Sequence, residues 1–200
     1  MSATAWIVLG AAVVLLVWAV GVYNRLVQLR NRIANAFGQI DVQLKRRHDL
    51  VPNLVEVARG YLQHEAATLE AVIQARGQAL GAATAARAAP GSASALGALA
   101  EAEGALGGTL GRLMVVAEAY PELKADATMQ SLSEELTSTE NRLGFARQAY
   151  NDQVLEFNDK AARFPDLVVA RLLGFPAAPM LESTRSEEER SAPKVHFGTP

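Results

Sequence analysis

Apolar residues along this chain recur every three or four positions, except in one run where they are continuous. Residues 5–23, AWIVLGAAVVLLVWAVGVY, carry no charge. As a helix they would span ~28 Å at ~1.5 Å per residue, close to the thickness of a bilayer's hydrocarbon core. Ten are Ile, Val or Leu. Each favours insertion by ~0.3–0.6 kcal/mol, which sums to ~3–6 kcal/mol. The candidate anchor side chains are Trp6, Ile7, Leu15, Leu16, Trp18 and Tyr23. Trp6 and Tyr23 stand near the two ends, where aromatic rings settle at headgroup level. The pattern predicts a transmembrane anchor over residues 1–23. A cleaved signal peptide is the competing reading, with Ala19-Val20-Gly21 as a small-residue cleavage site. Against it, no Lys or Arg precedes the run, and the run exceeds the usual apolar length of ~7–15 residues.

Beyond the run, apolar positions trace helical stripes. The first is Leu26, Leu29, Ile33, Phe37, Ile40 and Leu44. The second is Leu54, Ala58, Tyr61, Leu69, Val72 and Arg76, with Glu65 interrupting. Leu99, Leu106, Leu110, Leu113 and Ala117 make a third. Leu132, Leu136, Leu143, Ala146, Tyr150, Val154, Phe157 and Ala161 make a fourth, in which Leu143 and Phe157 are expected to be buried. No alternating β-branched run predicts a strand. The expected fold is all-α: a transmembrane helix followed by an antiparallel four-helix bundle of long helices over 24–173, with an irregular tail over 174–200.

The predicted breaks fall between stripes. Pro52 lacks an amide hydrogen and restrains Val51, so a chain reversal or sharp break is expected within His48–Asn53. It would pack the Leu26–Leu44 stripe antiparallel to the Leu54–Val72 stripe. A mere kink there would leave three long arms. Arg87 to Ser92, with Pro90-Gly91, reads as a turn. Tyr120-Pro121 ends the third helix, and Ser131 with Glu134, or Thr137 with Glu140, fits a capping box for the fourth. Phe164-Pro165-Asp166 ends the fourth, and a short apolar piece runs from Leu167 to Leu173. The Ala- and Gly-rich stretch from Ala75 to Ala105 reads as close helix packing. Gly104, Gly107, Gly108 and Gly111 each cost ~1 kcal/mol against Ala, so local softness is expected there.

Net charge is −2 and there is no Cys. The first removes any broad basic field for nucleic acid. The second excludes disulfides, a thiolate nucleophile and Cys-ligated zinc. Basic residues follow the apolar run at Arg25, Arg30 and Arg32, and none precedes it. The charge bias places the N-terminus outside and the body in the cytoplasm of a single-pass inner-membrane protein.

No catalytic constellation emerges. His64-Glu65 is not followed by the second His of a zinc-protease helix. No Glu-x-x-His pair, phosphate loop or Gly-x-Ser-x-Gly turn occurs. His48 reads as a solvated helix residue and His64 as a surface or packing group. Glu101, Glu103, Glu134 and Glu135 read as solvated. The expectation is therefore no enzyme, no cofactor and no metal.

Polar residues crowd two segments. Asn31, Gln39, Asp41, Arg46, Arg47 and Asp49 lie on the first helix; Asn141, Arg142, Arg147, Tyr150, Asn151 and Asn158 lie on the fourth. If the helices are neighbours, these residues would fix register through hydrogen-bond networks, or else form a partner-binding face. Arg46 and Arg47, ~30 Å from Tyr23 along a helix, would then be available to a partner rather than to lipid.

The chain resembles bacterial LemA-family proteins. The stretches that carry the likeness are Tyr23–Val27, Arg30–Ile33, QIDVQLKRRHDLVPNLVEVARGYLQHE (39–65), YPELKA (120–125), TENRLGFARQAYNDQVLEFN (139–158), FPDLVVARLLGF (164–175) and PKVHF (193–197). Phe37 stands where the family more often has Trp, and His196 where Asp is usual. The resemblance implies one N-terminal membrane helix carrying a long-helical bundle, and no reaction. The expected function is a membrane-anchored, non-enzymatic scaffold or adaptor that recruits protein partners through helix faces. The alternatives are a self-assembling ring or cage, and a small-ligand sensor or unmarked enzyme.

Overall fold

The computed structural model describes residues 2–181. The charged run Glu182–Arg190 and the closing segment Pro193–Phe197 lie outside the described residues. Every regular element among those described is a helix: α1 Ala3–Tyr61, α2 Ala66–Ala88, α3 Ala93–Glu118, α4 Pro121–Ala125, α5 Ala127–Ala162 and α6 Asp166–Leu172.

The expected reversal at Pro52 does not occur. α1 is one unbroken helix of 59 residues with Pro52 inside it. An interior proline is costly because it leaves the carbonyl four residues earlier without its amide donor. That carbonyl belongs to His48, and Arg76 of α2 donates Nε–H to it at 2.7 Å. Pro52 itself is exposed, so its ring displaces nothing from the core. A side chain from the neighbouring helix thus supplies the bond that the backbone cannot. The reversal falls later, at Leu62–Glu65, where Glu65 interrupts the stripe. The Leu26–Leu44 stripe and Leu54 therefore share one helix instead of facing each other, and α2 carries Leu69 and Val72. Continuity through Pro52 costs no arm: α1, α2, α3 and α5 are all long.

The other breaks lie close to their expected places. α2 ends at Ala88, and Ser92 caps α3 by accepting from the Ala95 amide at 3.2 Å. The α5 cap is Asp126, not Ser131 or Thr137. Its Oδ1 accepts from the Met129 amide at 2.9 Å, and the same carboxylate accepts from the Tyr61 hydroxyl at 3.1 Å. The Met129 amide is the main reason that the Asp126 carboxyl titrates below its ordinary value. Facing it, the Tyr61 hydroxyl is held above its own.

Three apolar clusters follow one another along the molecule. At the end far from the apolar run, Val51, Leu54 and Ala58 meet Leu106, Leu113 and Leu136. In the middle, Phe37, Ile40 and Leu44 meet Ala83, Leu99, Leu143 and Val154. Nearest the run, Val22, Leu26 and Leu29 meet Phe157, Ala161, Val169 and Phe175. As numbers fall along α1 they rise along α5, so the two helices run antiparallel. Leu143 and Phe157 are buried as expected, each 2% exposed.

Helix lengths explain why the third cluster differs. α2 and α3 are shorter than the part of α1 beyond Tyr23, so their connecting turn at Pro90-Gly91 reaches only the level of Phe37. Below that turn α6 and residues 174–181 cover the α1–α5 seam instead. After Val72 the buried face of α2 is all alanine, at Ala75, Ala79, Ala83 and Ala86. These small residues let the leucines of α3 approach closely, the packing expected for this stretch.

Candidate functional site

Two neighbours on α1, Arg47 and His48, point into the body and meet one carboxylate on α3. Arg47 donates Nη1–H to Glu103 Oε2 at 3.3 Å, and His48 Nε2 lies 2.6 Å from Glu103 Oε1. All three are buried, with Glu103 only 1% exposed. An ionised carboxylate only accepts, so a hydrogen bond to it at this contact requires the His48 hydrogen on Nε2. Gly107 makes room for the cluster: a Cβ there would stand 3.3 Å from Arg47 Nη2. The Arg76 bond to the His48 carbonyl ties α2 to the same point. The buried carboxylate and its two donors therefore tie α3 to α1, and the separate Arg76 bond ties α2 to the same turn of α1.

This overturns three expectations. His48 and Glu103 are not solvated, and Arg47 is not available to a partner. The reason is position on the stripe. Residues 47 and 48 lie three and four places after Leu44, and Glu103 lies four after Leu99 and three before Leu106. Each therefore falls on the buried face of its helix. Arg46 points outward but binds Glu135 of α5, through Nε at 3.0 Å and through Nη2. Asp41 accepts a two-pronged contact from Arg87, whose pKa it raises.

A second constellation binds residues 174–181, which have no regular secondary structure, as a strap along α5. The Asn158 side chain donates to the Ala178 carbonyl and accepts from the Ala178 amide, at 2.9 and 2.8 Å. Asn151, two turns earlier, makes the same pair with Leu181, both at 2.9 Å. Tyr150 donates its hydroxyl to the Pro179 carbonyl at 3.0 Å, and burial raises its pKa. Pro176 and Pro179 suit the extended strap because they have no amide hydrogen that would need a partner. Asn151 and Asn158 thus hold the strap on α5, while Tyr150 both holds the strap and meets Phe37 of α1 edge-on at 6.2 Å. Asn31, Gln39, Asp49, Asn141 and Arg142 are exposed, and Arg147 is half-buried.

Beside the strap lies an apolar hollow of about 390 Å³, lined by Phe37, Tyr150, Phe157 and Phe175, with Arg30 also on its wall. No three His, Asp or Glu side chains among the described residues gather closely enough to hold a metal.

At the other extreme, the first part of α1 is long and apolar enough to cross a membrane. Trp6, Ile7, Leu15 and Leu16 are all more than half exposed. Trp18 and Tyr23 are less so. Trp18 packs against the third cluster, and the Tyr23 ring meets Phe175 edge-on at 5.6 Å.

Comparison with known proteins adds two findings. The family model of the LemA family matches residues 36–197. The magnetosome proteins MamQ 1 and MamQ 2 of Paramagnetospirillum magneticum are each 33% identical over 81 residues, 40% of this chain and 30% of theirs. Magnetosome protein MamQ of Magnetospirillum gryphiswaldense is 31% identical over 78 residues, 39% of this chain and 29% of its own. The matched region thus spans less than a third of the length of these curated relatives.

Proposed function

We propose that this chain, which belongs to the LemA family, is a non-enzymatic scaffold or adaptor anchored in the inner membrane by residues 5–23. Its body is an antiparallel four-helix bundle on the cytoplasmic side, beside Arg25, Arg30 and Arg32. One observation carries the reading: α1 runs without a break from the apolar run to Tyr61. The 38 residues beyond Tyr23 then form a strut of ~57 Å standing off the bilayer. Glu103, the most deeply buried carboxylate among the described residues, is used in holding helices together, which suits a strut. Among the residues that face outward are Asn31, Gln39 and Asp49 on α1 and Asn141 and Arg142 on α5. These are the residues proposed to meet a protein partner.

The test uses full-length protein extracted in mild detergent. A second protein should co-purify, and the Asn141→Asp/Arg142→Glu double variant should lose it with helicity unchanged. Recovery as a bare single chain would sink the adaptor reading. A closed assembly of this chain alone, seen by mass measurement, would favour the ring or cage instead. The apolar hollow beside the strap favours one second reading, a sensor of a small apolar ligand.

A further inference from the structure

Four large apolar side chains stand exposed within ten residues at the end of the body next to the apolar run: Phe164 at 79%, Val168 at 47%, Leu172 at 78% and Leu173 at 53%. Val168 and Leu172, four apart, share one face of α6, and Phe164 stands in the turn just before that helix. The opposite side of α6 is buried through Val169 and Ala170, which pack with Val22 and Leu26. Trp18 and Ala19, inside the apolar run, pack against the same cluster. α6 therefore sits within a turn or two of the point where α1 leaves its apolar stretch, ~6 Å per four residues. Arg163 and Arg171, both exposed, stand next in sequence to Phe164 and Leu172.

We infer that α6 and Phe164 form a second membrane contact, lying in the headgroup–acyl boundary of the bilayer that α1 crosses. Continuity with the spanning segment identifies the occupant. A helix packed where a membrane span ends, in one cluster with Trp18, Ala19, Val22 and Leu26, cannot be far from lipid, and its free face is apolar where water would be a poor neighbour. The two arginines suit anionic headgroups at that depth. With two attachments the strut would be held at a set angle instead of pivoting about Tyr23. This inference rests on residues 5–23 spanning the membrane.

The absence of Cys makes the test clean. Single variants Leu172→Cys, Phe164→Cys, Leu15→Cys and Val115→Cys of the full chain are labelled with a nitroxide. They are then reconstituted in vesicles of phosphatidylcholine and phosphatidylglycerol. Collisions with oxygen report lipid, and collisions with a water-soluble nickel complex report solvent. Leu15 should read as lipid and Val115, exposed on α3, as water. Leu172 and Phe164 should meet the nickel complex several-fold less often than Val115 does. If both match Val115 while Leu15 reads as lipid, the second contact is wrong and the span stands. If Leu15 also reads as water, the span fails and takes this inference with it. Spin–spin broadening at Leu172 that vanishes on dilution with unlabelled protein would show that a second copy covers the patch, which also overturns it.

Discussion

Glu103→Ala should destabilise the protein by ~3–5 kcal/mol, the cost of leaving a buried charge without its partner. Arg47 and His48 would keep their burial and lose their shared acceptor at 3.3 and 2.6 Å. The tie between α3 and α1 would go with it. Glu103→Gln keeps the shape and one acceptor oxygen, so its loss should be smaller. Glu101→Ala, two residues away and exposed, should change stability by no more than ~0.5 kcal/mol. Denaturant unfolding of the full chain in detergent, followed by circular dichroism, measures all three. A Glu103→Ala loss under ~1 kcal/mol would mean that water replaces the carboxylate and that the cluster locks nothing. Replacing the whole cluster by apolar residues of similar volume should cost far less than Glu103→Ala, because no charge is then stranded.

Phe157→Ala should cost ~3–5 kcal/mol, the range for removing a buried aromatic ring. The ring is 2% exposed and joins Leu26 and Leu29 of α1 to Phe175 of the strap, at a centroid distance of 6.4 Å. It also lines the apolar hollow, so the new void would merge with an existing one and surrounding side chains could not fill it. The value should lie toward the upper end of the range for that reason. Phe145→Ala, 73% exposed on the same helix, is the control and should be nearly neutral. Equal unfolding midpoints for the two variants would contradict this packing.

The parts of the fold that depend on apolar spacing were legible in the sequence. The stripes on α3 and α5, the Pro90-Gly91 turn and the α6 segment lie where the pattern put them. What the pattern could not show was whether a polar residue on a stripe is buried. Arg47, His48 and Glu103 each occupy a core position by spacing, and weighing that spacing above their charge would have found them. The Pro52 expectation failed for a different reason. Its local cost is real, but Arg76 supplies the missing donor from 24 residues away, and no window along one helix contains that bond. The Asn151 and Asn158 pairs with the strap were invisible for the same cause, since their partners are backbone groups 30 and 20 residues on, respectively.

The continuity of α1 is the claim on which the strut depends, and one distance tests it. Asn24→Cys and Gly60→Cys introduce labels at two exposed positions, and nothing lies within 4 Å of a Cβ at Gly60. Pulsed electron paramagnetic resonance on the full chain in lipid vesicles reads their separation. An unbroken helix places the backbones ~54 Å apart, 36 residues at ~1.5 Å each. A reversal within His48–Asn53 would bring them to ~27 Å on the same rise per residue. A narrow distribution near the longer value is the expected result, and one near the shorter value would contradict the strut.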